Sequence, residues 1–331
     1  MKRSSGIRIP MILMGFAVLV ALAVPVAAAP ERAPYPLERG TVTRRPYVVM
    51  IDNHPRAYPQ TGLDKAALVF EALAEFGLTR FMAVYQPGVS PEAASIGPVR
   101  SARLYFVRWA MGLRGMYIHA GGAPDALALA RQAQEIIDVD ALSRSGGGYF
   151  TRVRTRSAPH NLYTSTARLD QASATSGTPD VNDPELGFLI KDGIPPEQRP
   201  AGQSITYYFL YKQDDAGWTY DPASNGYLRL RRGKPAVDAA TGKQLWASNV
   251  VVIEVQERPI PGDTKNRIEQ DVIGSGPGVL FQDGTTLDIT WRKETAAAPL
   301  RFYLASGSEA AMNPGQIWIA AIPKLANLTR R

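Results

Sequence analysis

The sequence predicts an α+β fold, with an N-terminal α/β domain built on a mixed sheet and a C-terminal β-rich domain. The first half alternates apolar runs of strand length with helix patterns, whereas the second half consists of short β-branched or aromatic runs between turn residues. Between them, residues 170–203 are rich in Ser, Thr, Pro, Gly and Asp, a composition typical of a linker or a long crossing loop. We therefore expect domains at residues 44–180 and 200–328.

Residues 1–28 have the composition of a secretory signal peptide, with basic residues before an apolar run and small residues after the helix breaker Pro25. Cleavage after Ala28 satisfies the preference for small residues at the cut. Because the apolar run approaches the ~20 residues that span a bilayer, an uncleaved N-terminal anchor is the alternative. The sequence thus predicts an extracytoplasmic protein, secreted or periplasmic, whose only membrane contact would be an uncleaved leader.

The composition excludes several classes of protein. With 331 residues, 45% of them hydrophobic, the chain can bury the cores of two domains. It has no cysteine, and therefore no disulfide framework, no thiol nucleophile and no lipid-modified cysteine. The formal charge of +7 falls to about +4 when the three basic residues of the leader are removed, which is too mild for a nucleic-acid-binding surface. No nucleic-acid partner is expected.

The first candidate site follows the run of apolar residues 47–51, which has the pattern of a strand buried on both faces. The run ends in Asp52, Asn53, His54 and Pro55. Polar groups at the carboxyl end of a buried strand are where open α/β sheets bind ligands. The alternative is an Asx turn closed by the proline.

A β-hairpin is predicted next, with strands at residues 68–75 and 78–86 around a two-residue turn at Phe76 and Gly77. In this register Glu75 lies opposite Leu78, and Glu71, Glu75 and Arg80 share one face of the hairpin. The interpretation as a catalytic site competes with a cross-strand cluster of salt bridges.

The spacing of the two glutamates argues against glycosidase chemistry. Glu71 and Glu75 would lie about 13 Å apart on a strand that rises about 3.3 Å per residue. Glycosidase carboxylates lie about 5–9.5 Å apart. The pair fits that chemistry only if one of them works with Asp52.

An arginine-rich corner precedes the first helix. The turn at Gly97 and Pro98 leads to the helix pattern of residues 104–113, for which Ser101 is the expected N-cap. Arg100 and Arg103 flank this helix start, and the guanidinium groups together with free backbone N–H groups would bind an anion. The alternative is that both arginines pair with carboxylates and only hold loops together.

A strand is predicted at residues 116–120, with His119 near its end. The glycine pair at Gly121 follows, before a helix predicted from Pro124 to about residue 137. A glycine-rich turn at a helix start can cradle an anion, although the Lys-Ser/Thr pair of a nucleotide-binding P-loop is missing. The glycines could equally serve only a tight turn.

A basic stripe occurs later, where Arg152, Arg154 and Arg156 alternate with smaller residues, so that a strand would project all three from one face. His160 and Asn161 follow directly. Basic stripes are usually solvated, but this one adjoins a histidine.

The chain has three histidines, and each lies at the edge of a predicted element: His54, His119 and His160. Together with a carboxylate they could hold zinc, but their spacing matches no known metal motif, so no cofactor is expected and zinc remains an option. A Ser101 nucleophile with a histidine base is a weaker hypothesis still, because Ser101 does not lie in the Gly-x-Ser-x-Gly motif of a nucleophile elbow.

The second half shows no catalytic constellation. Its predicted strands lie at residues 205–211, 227–231, 250–255, 279–282, 286–291, 301–304 and 317–321. We expect this half to pack on the first or to form one wall of its cleft.

Several segments together resemble the YerB-like bacterial lipoprotein family. They are residues 50–55, 68–85, 96–103, 117–122 and 159–163, and in the second half residues 220–225, 238–242, 249–252 and 315–322. The resemblance covers nearly the whole chain after the leader and implies a two-domain envelope protein without an established activity. It supplies no catalytic residues. The chain departs from the lipoproteins of the family because it lacks the cysteine that carries the lipid.

Three hypotheses follow. The first is a binding protein that holds an anionic small molecule or envelope polymer in a cleft of the N-terminal domain. Its candidate ligand-binding residues are Asn53, His54, Arg80, Arg100, Ser101, Arg103, His119, Gly121, Arg156, His160 and Asn161. The second is an envelope hydrolase, with Asp52, Glu71 and His119 as candidate catalytic residues. The third is a structural or assembly protein whose polar cluster only joins the two domains.

Overall fold

The computed structural model describes residues 30–33, 44–177 and 183–331. The predicted signal peptide lies outside these residues. Within them, no helix is both long and apolar enough to cross a membrane.

The described ranges contain three α-helices: α1 (Leu104–Gly112), α2 (Pro124–Gln132) and α3 (Thr166–Ser176). Strands of the first half are β1 (Glu31–Ala33), β2 (Tyr47–Asp52), β3 (Leu68–Leu73), β4 (Thr79–Tyr85), β5 (Met116–His119), β6 (Ile137–Asp140), β7 (Thr151–Arg152), β8 (Leu162–Tyr163) and β9 (Phe188–Ile190). Strands of the second half are β10 (Ser204–Tyr207), β11 (Ala216–Asp221), β12 (Gly226–Arg231), β13 (Lys234–Pro235), β14 (Trp246–Ala247), β15 (Asn249–Glu254), β16 (Glu257–Pro259), β17 (Ile268–Gln270), β18 (Gly274–Gln282), β19 (Thr285–Lys293), β20 (Arg301–Leu304), β21 (Ile317–Ile322) and β22 (Leu328–Arg330).

Ten of the described strands form one central mixed sheet, in the order β20-β19-β18-β15-β21-β3-β4-β2-β5-β6. The sheet takes strands from both halves of the chain, because β21 inserts between β15 and β3 and pairs in parallel with both. The fold class α+β is confirmed. The sequence did not predict that the two halves share a sheet.

The central sheet is covered on both faces. One face packs against α1 and α2, and the other against the second sheet, which has the order β13-β12-β11-β10-β22 with β14 on β12. In β21 the alternation is visible, since Trp318 contributes to the core below the second sheet and Ile319 to the core below the helices. Burial of both faces explains why the central strands are unbroken apolar runs.

The predicted hairpin exists, but its register differs from the prediction by one residue. Glu71 pairs with Phe81, because the loop contains three residues instead of two and is closed by a hydrogen bond of 2.7 Å from Ala74 N to Leu78 O. A shift of one residue moves a side chain to the other face of a sheet. Glu71 therefore lies on the face opposite Arg80, and the prediction that they share a face is wrong.

Other boundaries also differ from the predictions. The predicted N-cap Ser101 lies two residues too early, since Arg103 occupies that position. The helix that begins at Pro124 ends at Gln132, because the following segment forms β6 at the edge of the sheet beside β5. Tertiary pairing here overrides the local helix pattern.

The stretch predicted as a linker carries regular structure. The last turns of α3 fall in it, and Ser165 caps this helix by accepting a hydrogen bond of 3.3 Å from Arg168 N. β9 also falls there and pairs with β1. The basic stripe forms a strand only at Thr151 and Arg152, so its arginines do not project from one strand face. Each of the seven strands predicted in the second half overlaps an observed one, but β11 and the short strands β13, β14, β16, β17 and β22 were missed.

Candidate functional site

Three segments meet where β2 ends. Asp52 is the last residue of β2 and lies opposite Arg80 of β4. The loop before α1 runs alongside, because Arg100 N donates to Met50 O and Asp52 N donates to Pro98 O, both at 2.9 Å. These backbone hydrogen bonds fix the position of Arg100 beside Asp52.

The Asp52 carboxylate is the centre of this site. Its side chain is only 4% exposed, and its Oδ2 lies 2.7 Å from Nδ1 of His160 and 3.2 Å from Nε of Arg100. The other oxygen, Oδ1, accepts a hydrogen bond of 3.0 Å from His54 N. A carboxylate buried to this extent requires such partners.

Two of the three histidines stack on each other. The rings of His54 and His160 lie 4.4 Å apart, with an angle of 21° between their planes. His54 Nδ1 accepts a hydrogen bond of 3.1 Å from Arg56 N, which caps the short helical turn Pro55–Ala57. Partial burial, and then the adjacent His160, lower the pKa of His54. Both observations favour a neutral His54 with its proton on Nε2.

His160 is held in one tautomer. With Nδ1 directed at the Asp52 carboxylate, the proton of the neutral ring lies on Nδ1 and Nε2 keeps its lone pair. Among the described residues, Nε2 of His160 has no hydrogen-bond partner. This nitrogen can therefore accept a proton or a hydrogen bond from a ligand.

Two buried arginines, Arg80 and Arg103, share the carboxylate of Glu75. Arg80 donates to Glu75 Oε2 at 3.1 Å and to Ser101 O at 3.0 Å, and Arg103 forms an ion pair with Glu75 Oε1. Burial lowers the pKa of both guanidinium groups, yet arginine keeps its charge in proteins.

Arg100 differs from these two. Its side chain is 28% exposed, and its terminal nitrogens Nη1 and Nη2 have no partner in the part of the chain that the structure describes. Within that part, three guanidinium groups (Arg80, Arg100 and Arg103) face two carboxylates (Asp52 and Glu75). The cluster therefore carries an excess positive charge.

The resulting cleft has a volume of about 350 Å³. Its walls combine charged, aromatic and apolar side chains: Asp52, His54, Glu75, Phe76, Leu78, Thr79, Arg80, Arg100 and His160. It lies at the edge of the sheet where the parallel strands β2, β5 and β6 have their carboxyl ends. This is where open α/β sheets place ligand sites.

Comparison with known proteins places the chain in a family. Residues 35–179 match the family described as "Protein of unknown function (DUF3048) N-terminal domain", and residues 205–319 match its C-terminal domain. The chain belongs to the DUF3048 family. This confirms the resemblance that the sequence motifs indicated.

A named relative and a solved structure agree with this placement. The DUF3048 chain is 31% identical over 321 residues to a Bacillus subtilis (strain 168) protein named "Putative lipoprotein YerB", covering 92% of this chain and 89% of the relative. It is also similar to the crystal structure of YerB from Bacillus subtilis, with a TM-score of 0.76 and 28% identity over 89% of this chain and 96% of that one.

Several other candidate residues of the DUF3048 chain do not line the cleft. Arg103 and Ser101 lie behind it, where the carbonyl of Ser101 binds Arg80. His119 is fully buried, with Nε2 2.7 Å from Asp138 Oδ1 and Nδ1 2.9 Å from the carbonyl of Gly121. His119 therefore does not line the cleft with His54 and His160, so the three histidines do not form one zinc site. Within the described ranges, no cluster of three or more His, Asp or Glu residues could hold a metal ion.

Glu71, a candidate catalytic residue, lies on the opposite face of the sheet from Asp52. Its Oε2 accepts hydrogen bonds from Arg229 at 2.7 Å and Trp318 at 3.1 Å, and Oε1 accepts one from Thr79 at 3.2 Å. A joint role of Glu71 and Asp52 in one reaction is excluded by this arrangement. Arg229 gave no signal in the sequence, because it lies between two leucines in an ordinary strand pattern.

Three candidates hold loops in place. Asn53 does not line the cleft and donates to Thr79 Oγ1 at 2.6 Å. Arg156 donates to the carbonyls of Ala57 and Pro59, the latter at 2.6 Å. Asn161 accepts a hydrogen bond of 2.7 Å from Arg152. These contacts position the segments that carry the two stacked histidines.

Proposed function

We propose that the DUF3048 chain is an extracytoplasmic envelope protein that binds an anionic ligand in the cleft at the end of β2. The ligand presents a phosphate or carboxylate group to Arg100, beside the stacked rings of His54 and His160. The name of its Bacillus relative supports the location, since that protein is described as a lipoprotein. The leader-like residues 1–28 would direct export, and because the chain has no cysteine it would carry no lipid anchor.

The observation that carries the proposal is the free end of Arg100. A guanidinium group has five N–H donors in a fixed fork that fits a carboxylate or phosphate in bidentate fashion. Its Nε lies 3.2 Å from the Asp52 carboxylate, its side chain lines the cleft, and Nη1 and Nη2 make no hydrogen bond within the described ranges. Donors at a partly buried site are costly to leave unpaired.

The charge of the cluster supports the same ligand class. Asp52 and Glu75 neutralise two of the three guanidinium groups, so a bound anion would complete the balance. The pKa of His54 is lowered, so this ring adds charge only in acid. Because the arginines stay charged, binding should persist above pH 7.

Replacement of Arg100 tests the proposal. Arg100→Ala is expected to weaken binding of inorganic phosphate at least about tenfold, because a charge-assisted hydrogen bond contributes about 1.5–3 kcal/mol. Isothermal titration calorimetry and ligand-induced thermal shift measure the effect. Arg108→Ala is the matched control, since Arg108 is also partly buried but does not line the cleft.

Two results would contradict the proposal. Equal phosphate affinity in Arg100→Ala and the control would remove Arg100 from the site. If no phosphate, carboxylate or peptidoglycan fragment shifts the melting temperature of the unmodified protein, and Arg100→Ala only lowers it, the cluster has the structural role of the third hypothesis.

A second candidate function, hydrolysis, is favoured by the pair Asp52 and His160. An aspartate that holds the Nδ1 proton of a histidine leaves Nε2 as a general base, as in hydrolase triads. His160 could then take a proton from a water molecule next to a ligand bound by Arg100. Turnover of phosphate esters or peptidoglycan fragments should be lost in His160→Gln, whereas phosphate binding should remain. Absence of turnover in the unmodified protein leaves the binding role alone.

A further inference from the structure

An exposed apolar patch lies next to the cleft. Five large hydrophobic side chains are exposed among the described residues, and three of them, Phe76, Leu210 and Tyr211, line a single groove of about 340 Å³. The other two, Leu142 and Ile273, do not line it. Exposed apolar side chains are ordinary when scattered, but a cluster of them marks a binding surface.

The patch is continuous across the two halves of the chain. Gly77 has a φ of +74°, and a Cβ atom added there would lie 2.6 Å from Tyr211 Cε2 and 3.1 Å from Leu210 Cδ2. The side chains of Leu210 and Tyr211 therefore lie directly against the β3–β4 turn. The turn and the segment at Leu210 present one surface.

Phe76 has no structural reason to be aromatic. It is 62% exposed, and its φ of +56° lies in the left-handed region, which disfavours a bulky side chain. Asparagine or glycine would fit such a turn better. A residue that is unfavourable for both solvation and backbone conformation indicates a function.

The rim of the groove offers little free charge. Arg258 forms ion pairs with Glu269 at 2.8 Å and Asp271 at 2.7 Å, and Arg267 forms one with Asp263. Glu257 also lines the groove, and its carboxylate has no cationic partner among the described residues, accepting only a hydrogen bond of 3.3 Å from Gln270. Because this carboxylate would repel an anion, the groove favours the apolar part of an anionic ligand over its head group. Its volume lies within the range of roughly 300–1,000 Å³ that is usual for small-molecule pockets.

Phe76 lines both the groove and the cleft that contains Arg100. We infer that the ligand is an anionic amphiphile, with its phosphate or carboxylate head at Arg100 and its apolar chain across Phe76 into the groove. This inference rests on the proposed function, because the head group occupies the site described above. It adds the chemical class of the rest of the ligand.

A series of alkyl phosphates tests the inference, with titration of ethyl phosphate and octyl phosphate below the concentration at which micelles form. Octyl phosphate should bind at least about tenfold more tightly, because each buried methylene contributes about 0.8 kcal/mol. Octyl glucoside has the same chain on a neutral head and should bind more weakly than octyl phosphate.

Two variants test whether the alkyl chain of the ligand binds in the groove. Leu210→Ser, in the groove but outside the cleft, should lower the affinity for octyl phosphate at least about tenfold and leave the ethyl phosphate affinity unchanged. Phe76→Asn should lower the affinity for octyl phosphate more than that for ethyl phosphate, and keep or raise the melting temperature. Leu142→Ser is the matched control, because Leu142 is 63% exposed outside the groove, and it should change nothing.

The outcomes separate this inference from the proposed function. If ethyl and octyl phosphate bind equally and both depend on Arg100, the anion site stands and the amphiphile is excluded. If neither binds, both proposals fail. If Phe76→Asn instead changes the oligomeric state in sedimentation, the patch covers a second copy of the chain and the inference is overturned.

Discussion

Glu71→Leu is expected to lower the free energy of unfolding by about 3–5 kcal/mol, because it leaves the Arg229 guanidinium buried without its counterion. Glu71 and Arg229 are 2% and 4% exposed, and their charged atoms lie 2.7 Å apart. Unfolding in urea, followed by tryptophan fluorescence, measures the change.

The position of this ion pair explains why its effect should spread over the whole protein. Glu71 lies on β3 of the central sheet and Arg229 on β12 of the second sheet, so the pair joins the two sheets. Arg229 also donates to Tyr207 at 2.6 Å and lies over the rings of Trp218 and Trp318, at 4.9 and 4.6 Å from their centroids. One residue from each half of the chain thus completes a shared buried network.

Two variants check this reasoning. Glu71→Leu combined with Arg229→Met should recover most of the lost stability, since it removes both charges and fills the space with apolar atoms. Glu269→Leu, which breaks an exposed ion pair with Arg258, should change the free energy of unfolding by less than about 1 kcal/mol. If Glu71→Leu is as mild as this control, the guanidinium group has another partner and the network does not join the sheets.

Short stretches of sequence were enough to name residues that the structure brings together. The apolar run before Asp52 and the turn before Arg100 each point to one edge of the sheet, and the structure brings these two residues to within 3.2 Å. His160 was also named, although its 2.7 Å contact with Asp52 spans 108 residues and could not be derived from spacing.

Non-local features escaped prediction. Whether Glu71 points toward Arg80 or away from it depends on one extra residue in the hairpin loop, and composition does not specify that residue. The insertion of β21 beside β3 is decided by tertiary pairing between residues about 250 positions apart, as in the pair Ile317 and Leu68. His54 and His119 were both predicted at the edge of an element, but His119 lies inside the end of β5, where its buried ring contacts Asp138 on β6.

The pH dependence of stability should reveal Lys293, which is buried on the face of the central sheet that packs against α1. Lys293 is 1% exposed, and its Nζ donates to the carbonyl of Ala296 at 2.9 Å and to that of Ala298. Burial, and then the charge of Arg114, lower the pKa of Lys293 to about 7. The folded protein thus releases a proton that the unfolded chain keeps up to the ordinary range of lysine.

The sign of the effect follows from proton binding. Between pH 7 and the ordinary lysine range the unfolded state binds more protons than the folded state, so stability rises with pH. Below pH 7 both states carry the proton, and the folded state bears the full cost of a buried ammonium group. We expect the free energy of unfolding to rise by about 2 kcal/mol from pH 7 to pH 9 through this group.

Lys293→Met should remove this part of the pH dependence and make the protein more stable than the unmodified chain at pH 7. Lys243→Met, at an exposed lysine, should leave the rise with pH intact. Urea unfolding of the three proteins at pH 7, 8 and 9 makes the comparison. Higher pH is avoided because the raised pKa values of buried tyrosines make stability fall as pH rises, which opposes the effect of Lys293. A slope that is the same in all three proteins would mean that the carbonyls of Ala296 and Ala298 hold Lys293 in its charged form, so that burial does not dominate its titration.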